Sequence, residues 1–116
     1  MSRAQSRKHR GYATQRLIAN RWRDNGIAPY AKSAGAGEQG NDILDVPGLA
    51  VEIKARDTVT LPAALRQARA GMAADGNLAV PIVVWRHNGQ GEAAIGEWTV
   101  TLSLADFENL WKAANR

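Results

Sequence analysis

Between Asn41 and Arg56 the chain reads NDILDVPGLAVEIKAR, and this stretch admits few conformations. An extended chain turns successive side chains to opposite faces, so Leu49, Val51, Ile53 and Ala55 fall on one side and Ala50, Glu52, Lys54 and Arg56 on the other. The apolar set suits a core, and Glu52 and Lys54 share the opposite face. Pro47-Gly48, between two apolar runs, reads as a tight turn. It folds the segment carrying Asp42 back beside the strand carrying Glu52, so two carboxylates and an ammonium converge.

These residue types belong together chemically. Hard divalent cations such as Mg²⁺ bind through one or two carboxylates plus water and phosphate oxygens, neutralise phosphate charge and acidify a bound water. Asp42 and Glu52 supply such ligands. A lysine beside them can orient or help deprotonate an attacking water and stabilise charge building on phosphorus. Glu-x-Lys alone is weak, since each residue makes up roughly 6% of ordinary chains and about 0.4 chance matches are expected at this length. On a half-exposed strand the pair is often a solvated ion pair worth about 0–1 kcal/mol. The upstream Asp42, the Pro-Gly hairpin, the apolar frame and a Gly-rich loop just before it turn the reading toward a metal-dependent nuclease.

Charge distribution points the same way. The net charge of +4 conceals an N-terminal block in which Arg3, Arg7, Lys8, Arg10, Arg16, Arg21 and Arg23 occur without a single acid. A basic arm running into a helix attracts a phosphate backbone through counterion release, although it can also serve only as a solubilising tail. The chain has no cysteine, which removes disulfides, thiolate chemistry and most zinc sites. His9 and His87 stand in no ligand motif, and His87 falls in the turn HNGQG, where a solvated loop role is expected. No phosphate-binding G-x-x-x-x-G-K-[ST] loop occurs, so no nucleotide cofactor is expected. No apolar run approaches the ~20 residues that span a bilayer, and the N-terminus lacks a signal-peptide core. A cytoplasmic protein without a membrane partner is expected.

The sequence predicts a flexible basic arm over residues 1–10 and one domain over residues 11–116. Within it, helical spacing of Tyr12, Leu17, Ile18 and Trp22 predicts a helix over 11–24, ended by Asn25-Gly26. Strands are predicted over 27–33, around Asp42 and over 49–56, forming a meander after a Gly-rich loop. PAALRQARAGMAA predicts a helix over 61–74. LAVPIVVW over 78–85 reads as a buried strand in which Pro81 suggests an edge or bulge. A further strand over 93–102 and a last helix capped by Ser103 complete the order. Trp22, Trp85, Trp98 and Trp111 read as core or interface aromatics. The fold class is α/β, with a mixed sheet of about five strands flanked by helices.

Several motifs carry a family resemblance: Gly11 with Gln15-Arg16-Leu17, the loop KSAGAG from Lys32 to Gly37, Asn41-Asp42-Ile43, Val51-Glu52-Ile53-Lys54, and Gln67. From residue 11 onward the chain resembles the PD-(D/E)XK nuclease superfamily, whose core is restriction-endonuclease-like. Within it the chain is most similar to the small Holliday junction resolvases of archaea and some phages. The resemblance implies that Asp42, Glu52 and the Ile53 carbonyl hold Mg²⁺ or Mn²⁺ and that Lys54 is the catalytic lysine. Gln15 stands where the family usually carries a first-helix glutamate; it can hydrogen-bond a metal-bound water but brings no charge. Glu38, on the Gly-rich loop, is expected to restore that charge, and Gln67 to assist from the second helix.

Candidate DNA contacts are Arg7, Lys8, Arg10 and Arg16 of the basic block, Lys32, Ser33 and Glu38 of the loop region, Arg56 after the Glu52 strand, and Arg66 and Arg69. The last two, at i and i+3, share a helix face. The expected activity is metal-dependent hydrolysis of branched DNA, a four-way junction above all, by a homodimer whose two-fold symmetry matches two strands. A nicking, flap-cutting or single-strand nuclease of the same superfamily is the nearest alternative, and a non-catalytic architectural protein the other. The apolar run at 78–85 and the Trp111 helix are the candidate dimer surfaces.

Overall fold

The computed structural model describes residues 3–35, 40–56, 58–74 and 79–115. Helix α1 runs from Arg3 to Asp24. It therefore begins well before the predicted residue 11, and most of the expected flexible arm is its first two turns. The reason is local: Arg3 to Arg10 contains neither Gly nor Pro and is rich in helix formers. The C-terminus is closed by Gly26 at φ 72°, with Gly26 N–H donating to Arg23 and Ile27 N–H to Trp22, the paired bonds of a left-handed glycine cap.

The predicted strand over 27–33 shrinks to β1, Lys32–Ser33. Ala28 N–H also donates to the Trp22 carbonyl and Ala31 N–H to that of Ala28, so the chain stays curled against the helix end. The small Ala28 and Ala31 enter the core, while Ile27 and Tyr30 face solvent. Strand β2, Ile43–Leu44, and β3, Leu49–Lys54, then complete an antiparallel meander in which Ile43 pairs with Val51. Asp45 at φ 59° and Gly48 at φ 86° turn the chain between them.

Helix α2, Leu61–Ala74, crosses over to β4, Val80–Trp85, which lies parallel to β3. An antiparallel β5, Thr99–Thr101, closes a five-stranded mixed sheet in the order β1-β2-β3-β4-β5. Pro81 sits in an interior strand, contrary to the edge expectation. Val80 N–H donates to the carbonyl of Gly48, the residue just ahead of β3, so the next backbone nitrogen, that of Pro81, points away from β3. Pairing with β5 starts only at Val83, so the missing donor of Pro81 falls before that ladder begins. Much of the predicted strand over 93–102 is a 3₁₀ helix, Glu92–Glu97.

The two faces of the sheet are covered by different helices. Val51 and Ile53 join Ile82 and Val84 beneath Ile18 and Ala19 of α1. The opposite face, carrying Ala50, Glu52 and Lys54, lies under α2, whose buried Ala64, Ala68 and Gly71 permit close approach. Arg86 fastens α1 to the end of β4: its Nη1 donates to Thr14 Oγ1 at 3.0 Å and its guanidinium lies 5.0 Å from the centre of the buried Trp98 ring. Helix α3, Leu104–Ala114, is capped by Ser103, whose Oγ accepts the Asp106 N–H. It has no buried residue, and Leu104, Phe107, Leu110 and Trp111 are exposed along it. No helix among the described residues is long and apolar enough to cross a membrane.

Candidate active site

Asp42 immediately precedes β2, and its backbone N–H donates to the Val51 carbonyl at 2.8 Å. Its side chain reaches across to the neighbouring strand, where Oδ2 accepts the Ile53 N–H at 2.7 Å. The carboxylate is thereby held alongside β3 at the level of Glu52 and Lys54. These two project from one face of the strand, with Lys54 Nζ 3.4 Å from Glu52 Oε1 and the side chains only 12% and 13% exposed. This is not the solvated pair of an open strand.

Desolvation sets the electrostatics. Burial raises the Asp42 carboxyl above its usual value, opposed by the Ile53 hydrogen bond and the charge of Lys54. Glu52 is pushed up to about 7, first by burial and then by the negative charge of Asp42, with Lys54 pulling the other way. The two carboxyls interact directly, the charge of Asp42 adding to the rise at Glu52. Two carboxyls at close range in a poorly solvated place cannot both ionise freely. A cation placed between them would offset that repulsion.

Asp42 and Glu52 fit a divalent ion by donor type, since carboxylate oxygens suit Mg²⁺ and Mn²⁺. Among the described residues no group of three or more His, Cys, Asp or Glu is gathered to hold a metal. Two carboxylates suffice for Mg²⁺, which usually keeps waters and phosphate oxygens in its remaining positions.

The predicted site residues divide into those that gather here and those that do not. Gln67 lines a cleft with Lys54, Arg56, Thr58, Thr60 and Ala64, so α2 does bring it to Lys54. Gln15 is buried on α1, which covers the opposite face, and its Oε1 has no hydrogen-bond partner among the described residues. Arg16, Arg66 and Arg69 are exposed. Lys32 is exposed and 3.8 Å from Asp45 Oδ2, and Ser33 is half-buried beside it. Arg10 is no free arm: Nη1 donates to Asn88 Oδ1 and Nη2 to the His87 carbonyl, each at 3.1 Å. Glu38 and the side chains of Arg7 and Lys8 lie outside the described residues.

Sequence reasoning left out three neighbours of the site. Asn41 is buried, and its Oδ1 would lie 2.5 Å from a Cβ placed on Gly71 of α2, so α2 closes directly on the loop that presents Asp42. Trp85 is the register partner of Lys54. His87, expected as a solvated loop residue, is stacked on Trp85; the spacing Trp85-x-His87 at the end of a strand was the available signal. No family model matches the chain, and no characterised protein or solved structure is detectably similar to it.

Proposed function

We propose that this chain belongs to the class of metal-dependent phosphodiester hydrolases and, within it, acts as a structure-selective DNA endonuclease, a Holliday junction resolvase. The observation that carries the reading is the convergence of Asp42, Glu52 and Lys54 on one face of the sheet, with Glu52 held at about 7 beside a second carboxyl. A bound Mg²⁺ supplies neutralisation of phosphate charge and a more acidic water. Asp42 and Glu52 would hold it, the Ile53 N–H keeps the Asp42 carboxylate in place, and Lys54 sits where it could orient an attacking water and meet negative charge on the phosphate oxygens. Arg56, Arg66 and Arg69, with the basic residues of α1, offer sequence-independent phosphate contacts.

A two-fold dimer would present two such sites to strands of opposite polarity. Of the two candidate surfaces, Val80–Trp85 is taken up inside the sheet, and the exposed apolar residues of α3 remain.

The test is incubation of a labelled immobile four-way junction and a matched linear duplex with the protein, each in Mg²⁺ and in chelator, beside Glu52→Ala. Paired cuts near the branch point that need metal and fall by at least about a thousandfold in the variant, with junction binding in chelator retained, are expected. Cutting that survives Glu52→Ala sinks the site. Equal cutting of duplex, flap and single strands keeps the nuclease and discards the resolvase, and tight binding without any cutting favours the architectural reading.

A further inference from the structure

The face of the sheet that carries Glu52 and Lys54 continues onto β4 and β5. Lys54 is in register with Trp85, and Trp85 with Thr99, so all three side chains leave the sheet on one side. There the Trp85 indole and the His87 imidazole are stacked, with centroids 3.8 Å apart and planes inclined by 24°. Polar atoms on both rings are engaged by the protein: Trp85 Nε1 donates to the Arg56 carbonyl at 2.9 Å, and His87 Nε2 lies 3.0 Å from Thr99 Oγ1.

The loop holding His87 is also fastened. Arg10 reaches the His87 carbonyl and Asn88, the His87 N–H donates to Gln90 Oε1, and Arg86 Nε donates to the Gln90 carbonyl at 2.8 Å. The rings are therefore oriented before any ligand arrives, which limits the entropy lost on binding. Both are only partly buried, unlike Trp98, which the core covers. Each ring spends one π face on the other, so a ligand would meet an outer face. Lys54 and Arg56 stand beside them, one strand away, and aromatic faces next to cations are the combination that grips an unpaired nucleotide by base and phosphate together.

We propose that the Trp85–His87 pair is a stacking subsite for a nucleobase freed from its helical neighbours, next to the phosphate that meets Lys54. The proposal rests on the nuclease reading and narrows its substrate. In continuous duplex every base is already stacked on both sides, whereas a branch point whose arms are not stacked end to end leaves a base face open. Selection of branched over linear DNA then comes in part from this pair and not from the basic residues alone, which meet both kinds of backbone alike.

The test uses 2-aminopurine, whose fluorescence falls on stacking, placed in turn at each nucleotide flanking the branch point of a four-way junction and at a matched site in linear duplex. The full chain is titrated in chelator, so that nothing is cut. Quenching at a branch-point position and none in the duplex is expected. His87→Ala should abolish it and weaken junction binding about tenfold, while His87→Phe, which keeps a ring, restores both. Junction binding without quenching in the wild type, or His87→Ala indistinguishable from it, overturns the stacking subsite and leaves the nuclease reading intact. Failure of the wild type to bind any DNA overturns both.

Discussion

Leu49, Val51 and Ile53 on one face of β3 and Ala50, Glu52 and Lys54 on the other are interleaved residues under opposite demands. Val51 is fully buried, and with Ile53, Ile82 and Val84 it forms an apolar layer beneath α1, each such side chain contributing about 1.5–3 kcal/mol through removal from water. On the other face burial has the reverse sign, because desolvation opposes ionisation of Asp42 and Glu52. One strand thus draws stability from its first face and spends some of it on its second. The difference is chemical, since the backbone carrying both sets is continuous.

The sharpest way to break this comparison is to damage the core face and watch the site. Ile53→Ala removes buried side-chain volume and should cost about 2–5 kcal/mol, read as a lower urea midpoint. The Ile53 N–H that binds Asp42 is untouched, so metal-dependent cutting by the folded protein at low temperature should stay within a few-fold of wild type. Loss of cutting in a folded variant would show that the faces are not separable.

The converse change acts on the site face. A folded value of about 7 against 4.5 for the free side chain means that the folded state holds this proton more tightly than the unfolded one. The associated stability is fully present below about pH 4.5 and lost as pH rises through about 7, an effect of at most about 3 kcal/mol. Glu52→Gln should therefore leave stability unchanged at pH 4 and raise it at pH 8, with denaturant midpoints measured at both. Mg²⁺ should stabilise the wild type at pH 8 by binding the native state, and chelator should remove that gain; the Gln variant should show little of either. A Gln variant no more stable than wild type at pH 8 contradicts the desolvated pair.

The smallest effect concerns the helix over the site. On helix propensity alone Gly71→Ala gains about 1 kcal/mol. The added Cβ, however, would lie 2.5 Å from Asn41 Oδ1 and 3.0 Å from the Gly40 carbonyl carbon, and overpacking costs about 1–3 kcal/mol. A net loss of about 1 kcal/mol is expected by thermal unfolding. A stabilised variant would mean that α2 does not close on the Asp42 loop.

Where local chemistry decided the outcome, the chain was legible. The alternation in Leu49–Lys54, the turn before it, the cap at Ser103 and the helix stop at Asn25-Gly26 each follow from one or two residues acting on their immediate neighbours. Legibility failed where a specific contact, near or far in the chain, outweighed local composition. Ile27–Ala31 has strand-like composition but is drawn onto the end of α1 by the Trp22 carbonyl. Arg10 has the charge of a DNA-binding arm, yet it is tied to Asn88 and the His87 carbonyl 77 or more residues away. His87 sits in a turn-forming pentapeptide, and only the pairing of Trp85 with Thr99 reveals what its ring meets.

The sequence by itself determined that Glu52 and Lys54 share a face, because the two-residue period of a strand is a property of the backbone. It determined as well that an acid stands upstream within reach, because a Pro-Gly turn reverses the chain. Tertiary structure alone decided that Asp42 reaches the Ile53 N–H, that α2 covers the site and brings Gln67 to Lys54, and that the Glu52 carboxyl is held at about 7. The physical reason is that desolvation and Coulomb interaction depend on distances between atoms far apart in the chain, which are defined only once the sheet and both helices have come together.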